Sequence, residues 1–208
     1  MKKQSDKEFS SFLKAYYAIS IILCILFICF MLFISQPAHA GELDAWEFNI
    51  MGINAKDFQN RNWGNVCIGI VTSYVVHETG HLVTAKFMGC DSYFDFDRVS
   101  AMAGSGYEDL SNDQRALYHG GGFLFQTLLG GILTAIPKTR YADFTLGFNS
   151  FSSATGLYYG ITGGTGASRD EGSDVLNLDR VGYNGTAIAY GSGIVNGVFT
   201  VISLDKEK

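Results

Sequence analysis

Val66-Cys67-Ile68-Gly69-Ile70-Val71-Thr72-Ser73-Tyr74-Val75-Val76-His77-Glu78-Thr79-Gly80-His81-Leu82-Val83-Thr84-Ala85-Lys86-Phe87-Met88 is an apolar stretch with an H-E-x-x-H pentad in its second half. Read as a helix, it makes about six turns, and residues four apart lie about 40° apart around the axis and about 6 Å along it. His77 and His81 can then reach one metal ion. Glu78 sits about 100° round from His77, too far for an ideal third ligand but placed to hold a water beside the metal as a general base. An ionisable residue inside an apolar helix costs on the order of 3 kcal/mol on insertion scales, and here three occur within five positions. Such a cluster needs a reason, and a metal site supplies one.

The surrounding composition is that of a membrane chain with polar, glycine-rich helices. Of 208 residues, 47% are hydrophobic and 17% charged, with 25 Gly and only 2 Pro. The mean hydropathy is a modest +0.13. Net charge is −5, with no basic block beyond the amino terminus, so nothing in the composition offers an electrostatic footprint for nucleic acid.

Met1 to Lys14 carries four lysines and precedes an apolar run from Ala15 to Ile34, broken only by Ser20. That pattern directs export. Ala38-His39-Ala40 has the small-x-small form of a signal-peptidase site, while a run of about 20 residues also suffices to span a bilayer. Residues 1–40 are therefore expected to be a signal peptide or an N-terminal membrane anchor, and residues 41–208 a single membrane-embedded domain. Of the four cysteines, Cys67 and Cys90 fall in that domain near opposite ends of the motif helix, about 34 Å apart, too far for a disulfide.

Gly41 to Asn62, with Trp46, and Trp63 just beyond it, has the mixed character of a segment lying at an interface. Lys86 and Gly89 mark the end of the motif helix. The alternation Tyr93-Phe94-Asp95-Phe96-Asp97, followed by Gly104-Ser105-Gly106, predicts a strand or hairpin. Ser111-Asn112-Asp113-Gln114 is a helix start, and Ala116 to Ile136, closed by Pro137, is the next apolar span. Phe144 to Ile161 is a weaker span whose centre, Asn149-Ser150-Phe151-Ser152-Ser153, is too polar for lipid and should face protein or a wet cavity. Gly163 to Asp170 reads as a loop, Gly172 to Leu178 as a short helical segment, and Ala187 to Leu204 as a last span. The expected fold is an α-helical integral membrane protein, a bundle of about four transmembrane helices after the N-terminal segment, with a short β-like hairpin after the motif helix.

A catalytic zinc requires three protein ligands and an open position. His119, Asp170, Glu171 and Asp174 are the candidates for the third, and spacing alone does not choose among them. His77-Glu78-Thr79-Gly80-His81 in an apolar helix, followed by Leu82-Val83-Thr84-Ala85-Lys86, resembles the site-2-protease type of intramembrane zinc metalloprotease, whose motif is commonly H-E-x-G-H. Gly121-Gly122-Phe123-Leu124-Phe125-Gln126 falls where that family has Ala-Gly-Pro-x-x-Asn. Gly172-Ser173-Asp174-Val175-Leu176 falls where it has an Asp-Gly motif that supplies the carboxylate ligand. Phe123 and Gln126 depart from the second motif, and Val175 after Asp174 departs from the third.

The resemblance spans roughly residues 65–180 and implies a zinc-dependent intramembrane endopeptidase. In it His77, His81 and Asp174 hold Zn2+, with Asp170 as the alternative to Asp174. Glu78 is the catalytic base, and Gln126 binds substrate. The implied partners are a membrane protein or peptide substrate and the lipid bilayer, with edge pairing to Tyr93–Asp97 as a route for an extended peptide. The implied location is the inner (cytoplasmic) membrane of a bacterium. Two other readings compete: an exported, soluble or membrane-associated zinc peptidase whose glycine-rich segments are core helices, and a non-catalytic membrane scaffold that retains the motif.

Overall fold

In a computed structural model, which describes residues 61–136, 141–163 and 173–205, the apolar stretch is one helix, α1, Trp63–Phe87, of 25 residues. Asn62 caps its start by accepting from the Asn65 N–H, and Met88 with Gly89, at φ 76°, ends it. Lys86 in the last turn complements the carboxyl end of the helix dipole. The expected signal or anchor segment, the Gly41–Asn62 interface segment up to residue 60, the turn at 138–140, and Asp170 and Glu171 lie outside the described residues.

The hairpin follows at once. β1, Ser92–Asp95, pairs antiparallel with β2, Ser100–Ala103, with Ser92 opposite Ala103 and Asp95 opposite Ser100. The turn is built by Asp95, whose Oδ1 accepts from the N–H groups of Asp97 and Arg98, an Asx turn that ends β1 earlier than the alternation predicts. Gly104-Ser105-Gly106 lies beyond β2, where Asp91 gathers it: the Asp91 N–H donates to Ser105 O, and the Ser105 hydroxyl donates to Asp91 Oδ2.

Four further helices follow: α2 at Asn112–Ala135, α3 at Ala142–Thr162, α4 at Asp174–Arg180 and α5 at Gly185–Asp205. The start of α2 is a capping box, Ser111 accepting from the Gln114 N–H while the Gln114 side chain accepts from the Ser111 N–H. The described part is thus mostly helical, with one two-stranded sheet. Among the described residues, two helices, Trp63–Phe87 and Gly185–Leu204, are long and apolar enough to cross a membrane. The other two long helices, α2 and α3, are not among them, which narrows the expectation of about four spans to two by length and composition.

Glycines set how closely the helices approach. A Cβ on Gly147 of α3 would lie 2.0 Å from Val66 O of α1, and one on Gly69 would lie 2.1 Å from Phe144 O. Backbones in such contact leave room only for small or polar side chains between them. Asn149, Ser152 and Ser153, the polar centre of α3, are accordingly buried, as are Ser73 of α1, Gln126 of α2 and Asn196 of α5. Apolar side chains are displaced outward: Ile68, Val71 and Val75 on α1, Leu124, Leu128 and Ile132 on α2, and Ile194, Val198 and Val201 on α5 are exposed. Cys67 and Cys90 are free thiols.

Candidate metal centre

Helix α1 places His77 and His81 on one buried face, as their spacing requires. Helix α4 brings the third group. Its Val175 and Leu178 are 0% and 1% exposed and fix the short helix in the core, so that Asp174 in its first turn meets the two imidazoles. Asp174 Oδ2 lies 3.0 Å from His77 Nε2 and 3.2 Å from His81 Nε2. One ligand atom from each of the three residues falls within 4.8 Å of the others, a spacing at which a single ion can bind all three. Of the candidates for the third ligand, the structure therefore brings Asp174 into the group.

The far side of each ligand is engaged. His77 Nδ1 donates to Gln126 Oε1 at 3.1 Å, and the Gln126 amide donates in turn to Ser73 O and Ser73 Oγ. His81 Nδ1 donates to the backbone carbonyl of Tyr118 at 2.7 Å. These bonds leave Nε2 of both rings facing inward, the arrangement that orients histidine ligands in metal sites. Gln126, expected to meet substrate, is 1% exposed and has both ends of its amide committed to His77 and Ser73.

His119 is the third imidazole near the group. Its Nδ1 lies 3.5 Å from Asp174 Oδ1, and its Nε2 accepts from the Tyr107 hydroxyl at 2.6 Å. Both nitrogens are used, so the donor set is two imidazole nitrogens and one carboxylate oxygen. That set, with a position left over, fits the ligand composition of a catalytic zinc site rather than a closed structural one. Burial pushes the Asp174 carboxyl up, but the imidazoles of His81, His119 and His77 outweigh it and hold the group well below the usual carboxylate range. Burial pushes the Tyr107 phenol up against the pull of Arg115, so it remains a hydroxyl donor.

Glu78 points to the hairpin. Its Oε2 accepts from the Ala101 N–H at 2.7 Å and from the Ser100 hydroxyl at 3.4 Å. The site opens on a cavity of about 600 Å3, in which β2 and Arg98–Val99 line one wall and Phe151, Thr155 and Tyr159, one turn apart on α3, line another. The strand beside the site is therefore β2, Ser100–Ala103, rather than the Tyr93–Asp97 segment expected to pair with a peptide. Tyr74 adds a further tie by donating its hydroxyl to Val99 O.

Some of this was open to sequence reasoning. His119 and Gln126 are seven apart, which puts both on one face of α2, and Ser73 is one turn before His77 on α1. Tyr107 carries no such signal, because it lies in irregular chain between β2 and α2. The chain matches no family model, no curated protein and no solved structure.

Proposed function

We propose that the protein is a zinc-dependent endopeptidase of a membrane, hydrolysing peptide bonds of membrane-spanning or membrane-adjacent segments. One observation carries the reading: His77 Nε2, His81 Nε2 and Asp174 Oδ2 converge while Glu78, adjacent in sequence, lines the same cavity. Zinc bound there would supply Lewis acidity for a scissile carbonyl and bring the pKa of its water toward about 7.

Glu78 is the residue that moves the proton. Its carboxylate takes it from the attacking water at an Oε and returns it to the leaving amine. Its present bonds to Ala101 and Ser100 fix the side chain at the cavity wall. His77 and His81 are oriented through Gln126 and the Tyr118 carbonyl, and Asp174 contributes the negative charge. Gln126 acts through His77 in this scheme. An extended peptide lying along β2 would have its backbone beside Glu78, with Phe151, Thr155 and Tyr159 available to its side chains.

The membrane part of the reading rests on the distribution of polarity, with amides and hydroxyls between the helices and aliphatic side chains outside. Helix α1, at about 37 Å, exceeds the ~30 Å hydrocarbon thickness. That two of the described helices, and not α2 or α3, meet the length and hydropathy of a span favours a second reading, a membrane-associated peptidase with a partly aqueous bundle. Carbonate extraction separates them, since release into the supernatant rejects the integral reading.

The function is tested by incubating single-span substrates with wild type and Glu78→Gln in matched membranes while measuring bound zinc. The expected result is zinc retained and cleavage lost by about 100-fold or more, the scale of general-base removal. Unchanged cleavage by Glu78→Gln would refute the mechanism.

A further inference from the structure

Asp174 presents its two oxygens to different neighbours, and the difference assigns a role to residues outside the ligand set. Oδ2 faces His77 and His81, at 3.0 and 3.2 Å. Oδ1 faces His119 Nδ1, at 3.5 Å, and the other ring nitrogen of His119 is held by Tyr107 at 2.6 Å. A carboxylate oxygen can only accept, so the contact with Oδ1 places the His119 ring proton on Nδ1 and leaves Nε2 to accept from the Tyr107 hydroxyl.

We propose that Tyr107 and His119 are positioning residues that hold Asp174 as a one-oxygen metal ligand and so keep the fourth coordination position open to water. The inference rests on the metal-centre reading above. A carboxylate with a free second oxygen can rotate to bind through both, which would occupy the position a catalytic site needs. The Nδ1–H of His119, facing Oδ1 at 3.5 Å, opposes that rotation.

The pair is itself firmly placed. His119 is 6% exposed and packs edge-on against the rings of Tyr118, at 5.0 Å, and Tyr107, at 5.9 Å. Arg115 lies over the Tyr107 ring, 5.3 Å from its centre. The Tyr107 N–H reaches Gly104 O within the irregular segment after β2, and the Tyr107 hydroxyl joins that segment to His119. A plain packing role would explain the ring contacts, but not why the two polar ends line up with a single oxygen of Asp174.

The test uses the full chain in a membrane mimic, with zinc affinity read by chelator competition and site geometry read from the visible spectrum of the Co2+-substituted protein. His119→Phe keeps a planar ring without the donor. It should weaken zinc 10- to 100-fold, the range for losing an outer-sphere partner, and lower the Co2+ absorption as coordination number rises. Tyr107→Phe removes only the hydroxyl and should shift the spectrum in the same direction with a smaller loss of affinity. Because both act through one hydrogen-bonded chain, the double variant should match His119→Phe alone. His119→Asn, whose amide can stand where Nδ1 stands, should recover most of the affinity and the wild-type spectrum.

Wild-type affinity and spectrum in Tyr107→Phe and His119→Phe would overturn the proposal while leaving the metal centre intact. A wild-type chain that takes up neither zinc nor Co2+ would overturn both. Should His119→Phe fail to fold, Tyr107→Phe, which deletes a single oxygen, decides the matter by the same two measurements.

Discussion

Gly120, Gly121 and Gly122 are consecutive on α2, and adding one methyl group to each should have three different outcomes. A Cβ on Gly122 would lie 2.5 Å from His77 Nε2 and Cε1 and 2.6 Å from Nδ1, whereas a Cβ on Gly120 meets nothing within 4 Å. Restoring ordinary contact near 3.5 Å requires the His77 ring or the helix to move by about 1 Å. Ligand distances tolerate only about 0.2 Å, and displacement of a reacting group by about 1 Å costs on the order of 100-fold in rate. Gly122→Ala should therefore lose zinc affinity by about 100-fold or more. Gly120→Ala should leave it unchanged and gain up to about 1 kcal/mol from helix propensity. On Gly121 the Cβ would meet Thr84 Oγ1 at 2.8 Å and Gly80 O at 3.0 Å, which forces α1 and α2 apart. Its main effect is on stability, about 1–3 kcal/mol for overpacking. Chelator competition and thermal unfolding, measured on the three variants in one membrane mimic, check this order. Wild-type zinc affinity in Gly122→Ala, or equal damage from Gly120→Ala, would show that His77 is not seated against this glycine.

Two further outcomes follow from the same geometry. Gln126→Leu removes the acceptor for His77 Nδ1 and the donor to Ser73, so zinc affinity should fall 10- to 100-fold, measured by chelator competition, with substrate KM little changed. Zinc affinity should also fall as pH is lowered, by about tenfold per pH unit for each imidazole that must give up a proton to bind. The Asp174 carboxyl, held well below the usual range, contributes fully above the ordinary carboxylate pKa and loses its part only as pH falls through its lowered value. A zinc titration across pH should thus show no carboxylate step near neutrality; such a step would contradict the placement of Asp174.

What the sequence made legible was periodic. The four-residue spacing of His77 and His81 required one helix face, and the run around it set the length of α1 within a few residues of Trp63–Phe87. The polarity of Asn149-Ser150-Phe151-Ser152-Ser153 was legible for the same reason, since an amphipathic stripe with amides on it has to be buried, and Asn149, Ser152 and Ser153 are. Asp174 was identifiable only as a candidate, because its meeting with His77 spans 97 positions and depends on α4 being seated by Val175 and Leu178. Tertiary contacts of that separation leave no mark in local pattern.

The same limit applied to the surroundings of Gln126 and Glu78. Motif position alone put Gln126 in contact with substrate. Its burial and its hydrogen bonds show its amide holding the His77 ring, while the residue also lines the cavity. The hairpin, in turn, lies against the motif helix through Glu78, whose partner Ala101 N–H belongs to β2. A backbone N–H that now satisfies the base is one an incoming strand would also need. Under the proposed hydrolysis, base and substrate edge would be coupled: a peptide pairing with β2 at Ala101 would displace a hydrogen bond from Glu78 and free that oxygen for water as the scissile segment arrives.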